Sequence, residues 1–115
     1  MFNNPIAGAG AGRHHGPGFV YVVTELQVKI GYSGNPAERL IYIQRDRPAT
    51  TLVNSVHANE MNRAETAAQH AVEKHLRMHK IARNATDWYH LPRNVTAENV
   101  LDRVRLAVYY FNTRY

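Results

Sequence analysis

The sequence predicts a small α+β domain in which an antiparallel or mixed β-sheet is flanked by helices, in the order ββαβαβα. Early runs rich in β-branched and aromatic residues predict strands, and later segments show the apolar period of helices. The length of 115 residues suits a single core. We expect a flexible Gly/Ala-rich arm over residues 1–17, the main domain over residues 18–92, and a C-terminal helix over residues 93–115 packed on the same domain.

The first two elements are predicted to form an antiparallel hairpin. The run F-V-Y-V-V-T predicts a strand over about Phe19–Thr24, and Q-V-K-I-G-Y predicts a second over about Gln27–Tyr32. Alternation along the first strand places Tyr21 on the face opposite Val20 and Val22.

The first helix is predicted from its N-terminal capping pattern. Asn35 is the expected cap, Pro36 takes the first helical position, and Glu38 lies three residues after the cap. The helix should therefore run to about Arg45. A third strand is expected over about Thr50–Ala58, which is again rich in β-branched residues.

The second half of the chain predicts two longer helices around one short strand. An alanine-rich apolar side predicts a helix over about Glu60–Lys80, followed by a connector over residues 81–86. Asp87–Leu91 predicts a short aromatic strand or extended segment. Thr96 is the expected cap of a final helix over about Ala97–Phe111.

The composition excludes several kinds of site. The chain has no cysteine, which excludes disulfides, thiolate zinc sites and cysteine nucleophiles. No apolar run approaches the ~18 residues of a membrane span, and no signal-peptide pattern opens the sequence. We therefore expect no membrane association and a cytoplasmic location.

The charge balance favours a polyanionic partner. Lys and Arg number 14 against 9 Asp and Glu, which gives a net charge of +5, and most of the cations are arginines. The planar guanidinium suits phosphate oxygens. The alternative is solubilising surface charge, since the cations are spread along the chain without a dense run.

Candidate functional side chains come from separated elements: Tyr21, Lys29, Tyr32, Arg39 and Glu65. Arg39 belongs to a strand, glycine turn and helix start, an arrangement that can hold a phosphate at the helix N-terminus. Taken singly, Tyr21 can equally be a core residue, and Arg39 and Glu65 can be solvated helix residues. No paired-carboxylate, Ser/His/Asp or P-loop pattern is present.

The order and spacing of these residues resemble the GIY-YIG nuclease superfamily. Val20-Tyr21 stands where the family has the I-Y of its first motif, and Lys29-Ile30-Gly31 stands where it has Y-I-G. Arg39 matches the arginine of the family's first helix, and Glu65 matches the metal-binding glutamate on the helix after the third strand. The resemblance covers about residues 18–92 and implies a GIY-YIG-like core.

The spelling of the second motif resembles the phage and bacterial branch of the superfamily. In that branch the second motif is K-I-G, and the closing segment of the domain is commonly an acidic residue followed by a tryptophan and an aromatic residue, as in Asp87-Trp88-Tyr89. Two departures stand out. Lys29 replaces the tyrosine of the second motif, and Ile43 occupies the place where the family often has a histidine, one turn after the arginine.

The resemblance implies a metal-dependent endonuclease that hydrolyses DNA phosphodiester bonds and leaves 5′-phosphate and 3′-hydroxyl ends. Glu65 would hold Mg²⁺ or Mn²⁺, and Arg39 would neutralise charge on the scissile phosphate. Tyr21 would orient or help to deprotonate the attacking water, and Lys29 would offer positive charge to that phenol or to the phosphate.

Further residues are expected to bind the DNA substrate, and two other functions stay open. The substrate-binding candidates are Tyr32, Ser33, Arg45 and Arg63. The main alternative is a catalytically inactive nucleic-acid-binding module on the same fold. A weaker alternative is a partner-binding domain whose last helix forms a homodimer through Val100, Val104, Val108 and Phe111.

The histidines offer a rival metal site. His75 and His79 have the i, i+4 spacing that lets two imidazoles on one helix share a zinc, and His70 and His90 are further candidates. The alternative is a basic helix surface that faces solvent or DNA, which we favour because no H-E-x-x-H motif accompanies them.

Overall fold

The computed structural model describes residues 14–81 and 87–115 of the chain. The described residues form an α+β fold in the predicted order ββαβαβα, which confirms the fold class. Most of the predicted connector over residues 81–86 and the first 13 residues of the predicted arm lie outside the described ranges. The elements are β1 (Gly18–Glu25), β2 (Gln27–Ser33), α1 (Pro36–Asp46), β3 (Thr51–Ala58), α2 (Met61–His75), β4 (Trp88–Tyr89) and α3 (Ala97–Arg114).

The four strands form one antiparallel sheet in the order β3-β1-β2-β4. β1 and β2 pair as the predicted hairpin, in a register that sets Tyr21 opposite Gly31. The hairpin turns at Leu26, whose backbone φ of 61° is left-handed. The register between β1 and β3 shifts between Val22 and Val23. Of the alternatives of an antiparallel and a mixed sheet, the antiparallel one is therefore observed.

Each face of the sheet carries its own apolar cluster. Val20, Val22 and the β2 residues Val28 and Ile30 pack beneath α2 and α3. Tyr21, Val23 and Trp88 form the second cluster on the opposite face, where Leu40 and Ile43 of α1 cover them. The alternation predicted for β1 is therefore confirmed. Because α1 contains no fully buried residue, its face of the sheet is covered more thinly than the other.

Helix α2 is shorter than the sequence predicts. It ends at His75, whereas the periodicity predicts Lys80, because Arg77 adopts a left-handed φ of 55° that reverses the chain. The reversal brings Met78 back into the core, so its apolar side chain fits the helical period without being helical. His79 consequently does not lie on a helix with His75, and the predicted i, i+4 histidine pair was wrong.

Helix α3 begins as predicted and ends later, at Arg114. The Thr96 hydroxyl accepts a hydrogen bond from the backbone N–H of Asn99, whose side chain accepts one from the Thr96 N–H. The proposed dimer stripe is wrong as an interface, since its four residues lie inside the domain's own core. Across the described residues, no helix is both long and apolar enough to cross a membrane.

Two side-chain hydrogen bonds attach α2 to the edge of the sheet. The amide of Gln69, only 8% exposed, donates to the carbonyl of Ile30 on β2 at 3.2 Å. One turn later, Glu73 accepts a hydrogen bond of 2.6 Å from the Tyr89 hydroxyl on β4. These bonds fix the position of α2 along the sheet, and with it Glu65, which lies one turn before Gln69.

We expect Gln69→Met to lower the free energy of unfolding by about 1–3 kcal/mol, because the Ile30 carbonyl loses a buried donor while the side-chain volume is nearly kept. Urea denaturation measures the change. Lys74→Met on the exposed side of the same helix is the control and should be close to neutral. Equal stability of the Gln69 variant and the control would contradict the importance of this bond.

Candidate active site

Tyr21 lies across Gly31 of the neighbouring strand. Its side chain is 3% exposed, and a Cβ atom placed on Gly31 would collide with the phenol ring and hydroxyl. Only glycine gives the ring this close approach to the β2 backbone. The glycine of the K-I-G motif is therefore explained by the position of the tyrosine on β1.

Charged side chains from three other elements act on the Tyr21 hydroxyl. Burial raises the pKa of Tyr21 to about 12; Arg39 on α1 lowers it, while Glu65 on α2 and Asp87 before β4 raise it. The structure thus brings Tyr21, Arg39 and Glu65 into one electrostatic environment, although 18 and 26 residues separate them in sequence. In this environment the phenol is protonated at neutral pH.

Lys29 reaches the same place from β2. Its ammonium donates a hydrogen bond to Asp87 Oδ2 at 3.4 Å, and Lys80 lies 3.9 Å from Asp87 Oδ1. The backbone pairing of Lys29 with Trp88 sets Asp87 beside the lysine. Asp87 was noted only as part of a motif and was missed as a site residue, because its contact with Lys29 depends on strand pairing across 58 residues.

Glu65 is a half-buried carboxylate next to this ion pair. Burial, followed by the negative charge of Asp87, raises the pKa of Glu65 to about 7, and Lys29 and Lys80 oppose the shift. The described residues contain no cluster of three or more His, Cys, Asp or Glu able to hold a metal ion. A lone carboxylate fits Mg²⁺, which keeps much of its hydration, better than Zn²⁺, which takes three or four protein ligands.

Tyr32 extends the cluster toward the beginning of the chain. Burial raises its pKa, with Glu65 adding to the shift and Arg39 opposing it. Its hydroxyl lies 2.8 Å from Nδ1 of His14, a residue of the predicted arm. Gly16 is also attached to the domain, through its N–H to the Glu60 carboxylate at 2.9 Å. The last residues of the predicted arm therefore contact the domain.

The structure does not bring the remaining predicted substrate-binding residues into this cluster. Ser33 shapes the turn before α1, where its hydroxyl oxygen accepts the Asn35 N–H at 2.9 Å. The Arg45 guanidinium stacks on the exposed Tyr42 ring at 4.6 Å. Arg63 is directed away from Glu65, toward α3.

Arg47, a second arginine, was not predicted as a site residue, and its contacts stabilise the elements around the site. The guanidinium of Arg47 lies 3.7 Å from the Trp88 ring centroid and donates to Glu25 at 2.9 Å and Gln27 at 2.7 Å. It thereby joins the end of α1 to the hairpin and to the strand that carries Asp87 into place. No local pattern distinguishes Arg47 from its neighbours in sequence.

Comparison with known proteins gives one match. The family model described as T5orf172 domain matches residues 18–107, which include all of the residues in the cluster except His14. Domains of this family are GIY-YIG-like and associated with nucleases. Searches of the curated proteins and of the solved structures each found no match.

We expect Gly31→Ala to destabilise the protein by about 1–3 kcal/mol, since the added Cβ displaces the buried Tyr21 ring. Gly34→Ala is the matched control, because a Cβ there meets no atom within 4 Å. Thermal unfolding of both variants measures the difference. A Gly31 variant as stable as the Gly34 variant would contradict the close approach of the ring.

We expect the Glu65 carboxyl to make stability depend on pH. Its folded pKa of about 7 exceeds the ordinary value of 4.5, so the folded state binds the proton more tightly than the unfolded state does. The resulting contribution to the free energy of unfolding is fully present below pH 4.5 and is lost as the pH rises through 7. Denaturation in EDTA from pH 5 to 8 should show a loss of wild-type stability relative to Glu65→Gln; parallel pH profiles would contradict the shifted pKa.

Proposed function

Because the chain belongs to the T5orf172 domain family, we propose that it is a metal-dependent endonuclease of GIY-YIG type that hydrolyses DNA phosphodiester bonds to 5′-phosphate and 3′-hydroxyl ends. The observation that carries the proposal is the common electrostatic environment of Tyr21, Arg39 and Glu65. Three elements contribute these groups, and together they suit phosphodiester hydrolysis: a phenol that can orient water, a cation for the phosphate and a carboxylate for a metal ion.

In the proposed site, Glu65 would hold Mg²⁺ or Mn²⁺, because its carboxylate oxygens are the hard ligands these ions prefer. The chemistry supplied there would be Lewis-acid polarisation of the phosphate. Since the pKa of Glu65 lies near 7 in the protein alone, protons and metal ions compete for this carboxylate at neutral pH. Asp87, the carboxylate whose charge acts on Glu65, already accepts a hydrogen bond from Lys29.

Arg39 is assigned to the scissile phosphate. It is exposed near the start of α1, where the Asn35 side chain caps the helix by accepting the Glu38 N–H. Its guanidinium is close enough to Tyr21 to lower that phenol's pKa. A phosphate placed between the two would therefore lie beside a positive charge and near the positive end of the helix dipole.

Tyr21 is assigned to orienting the attacking water through its hydroxyl. A phenol with a pKa of about 12 keeps its proton at neutral pH, so it donates or accepts a hydrogen bond and does not act as the base in the protein alone. Lys29 lies on the same face of the sheet and is held by Asp87 at 3.4 Å. In the proposed mechanism the lysine would offer positive charge to the phenol or the phosphate.

Two observations favour a nucleic-acid-binding module without catalysis as the second candidate. With a pKa of about 12, Tyr21 offers almost no phenolate to act as a base at neutral pH, and the net charge of +5 by itself supports binding to a phosphate backbone. The two candidates differ in whether bound DNA is cut.

The test is cleavage of plasmid DNA in Mg²⁺ or Mn²⁺. We expect Glu65→Gln to abolish cleavage and Arg39→Ala to slow it by ~10²-fold or more, since each removes charge used in the transition state. Glu98→Gln and Arg105→Ala, both exposed on α3, are matched controls that should cut at the wild-type rate. DNA ligase should reseal the products if the ends are 5′-phosphate and 3′-hydroxyl.

Three outcomes would each contradict a different part of the proposal. Wild-type cleavage by Glu65→Gln would refute the assigned metal ligand. DNA binding with steep salt dependence, combined with no cleavage by the parent chain, would favour the binding module. Products that ligase cannot reseal would refute the proposed bond polarity.

A further inference from the structure

A groove lies between α2 and α3, on the side of α2 away from Glu65. We call it the α2–α3 groove; its volume is about 580 Å³, and Ala67 and Ala107 both line it. The short alanine side chains leave space between the two helices. The Arg63 guanidinium at the start of α2 covers the Tyr115 ring at the end of α3, so the helices run antiparallel along the groove.

The α2–α3 groove is positively charged. Arg63, His70 and Arg114 line it, and among the described residues no Asp or Glu side chain does so. Lys74 follows His70 by one turn on α2, and Arg103 precedes Ala107 by one turn on α3, so both extend the basic surface at the far end. A polyanion complements a groove of this charge.

Aromatic rings are interleaved with these cations. The Tyr115 ring stacks on Phe111 at 4.6 Å and carries Arg63 at 4.5 Å from its centroid. Tyr110, which also lines the groove, is 59% exposed. Exposed aromatic faces beside a basic track are the combination that binds single-stranded nucleic acid, because unpaired bases stack on the rings while cations hold the phosphates.

We propose that the α2–α3 groove binds single-stranded DNA, with a base stacked on Tyr110 and phosphates held by Arg63 and Arg114. A duplex fits these groups less well, since its bases already stack on one another and cannot reach a tyrosine face. The groove therefore selects unpaired strands over duplex DNA.

The position of the groove relative to Glu65 extends this proposal to the substrate, and this step rests on the proposed nuclease function. Positions 63 and 65 of a helix point to nearly opposite sides, about one helix diameter or ~10–12 Å apart. At a rise of ~3.4 Å per nucleotide, a few nucleotides cover that distance. A strand cut at Glu65 can thus continue around α2 into the groove, so the substrate carries an unpaired segment beside the cleaved bond.

The test is fluorescence anisotropy with a labelled 20-nucleotide oligo(dT) in EDTA, where no cleavage is needed. We expect Tyr110→Ala to weaken binding by at least about 5-fold through lost stacking. Tyr109→Ala is the matched control: its ring is equally exposed, at 62% against 59%, and contacts the Tyr110 ring edge-on at 5.6 Å, but it does not itself line the groove. It should change binding less than about 2-fold.

A second pair of variants tests the phosphate contacts. Arg63→Ala/Arg114→Ala should weaken oligo(dT) binding and reduce the slope of log K against log salt by about 0.7 per lost contact. Arg93→Ala/Arg105→Ala removes the same charge at exposed positions outside the groove and should keep most of the slope. A labelled duplex of equal length should bind more weakly than oligo(dT) and should not respond to Tyr110→Ala.

Equal effects of the Tyr109 and Tyr110 variants, equal effects of the two arginine pairs, or tighter binding to the duplex would each overturn the proposal. So would competition by polyglutamate at the concentration of oligo(dT), since the groove would then respond to charge alone. If the protein cleaves plasmid DNA but fails these binding tests, the groove proposal is refuted and the nuclease proposal is not. If the protein cleaves no DNA but its groove variants lose oligo(dT) binding, the nuclease proposal is refuted and the groove proposal is supported.

Discussion

The placement of the Tyr21 ring over Gly31 is the constraint on which the rest of the site depends. The register of β1 with β2 makes these residues partners, and a slip of one residue would move every side chain of β1 to the opposite face. Val20 and Val22 would then leave the core beneath α2 and α3, and the phenol would be buried in their place. The apolar core and the site therefore enforce the same register.

Burial and charge act together on the acids of the site. Burial is the largest cause of the raised pKa of both Tyr21 and Glu65, and Asp87 raises each further. Arg39 opposes the shift of Tyr21, and Lys29 and Lys80 oppose the shift of Glu65, yet both pKa values stay raised. An environment that raises the pKa of both acids favours added positive charge, and in the proposed mechanism a hydrated divalent ion would provide it.

The sequence predicts best those features that short segments encode. The Asn35 cap and the Thr96 cap were confirmed, because each depends on side chains within three residues of the helix start. The end of α2 was wrong because Met78 obeys the helical period while reaching the core through a left-handed residue, Arg77. A periodic pattern records which residues are buried; it does not record the path of the backbone.

The candidate site was predictable only in part, for a related reason. The resemblance to a family supplied Tyr21, Arg39 and Glu65, which the structure brings into one environment. Asp87 and the Arg47 contact with Trp88 were missed, since both depend on the pairing of β4 with β2 and on packing between distant segments. The prediction of a dimer interface on α3 was wrong because an apolar helix face packs most readily against its own sheet.

Helix α2 connects the two proposed DNA contacts, and its composition explains how one helix serves both. Ala64 and Ala68 allow it to pack closely on the sheet, while Ala67 on another side leaves the floor of the groove open. Because the Gln69 amide holds α2 to the Ile30 carbonyl, Glu65 and the α2 wall of the groove keep fixed positions on the sheet. The distance between the proposed metal ligand and the α2 wall of the groove is thus set by the diameter of one helix.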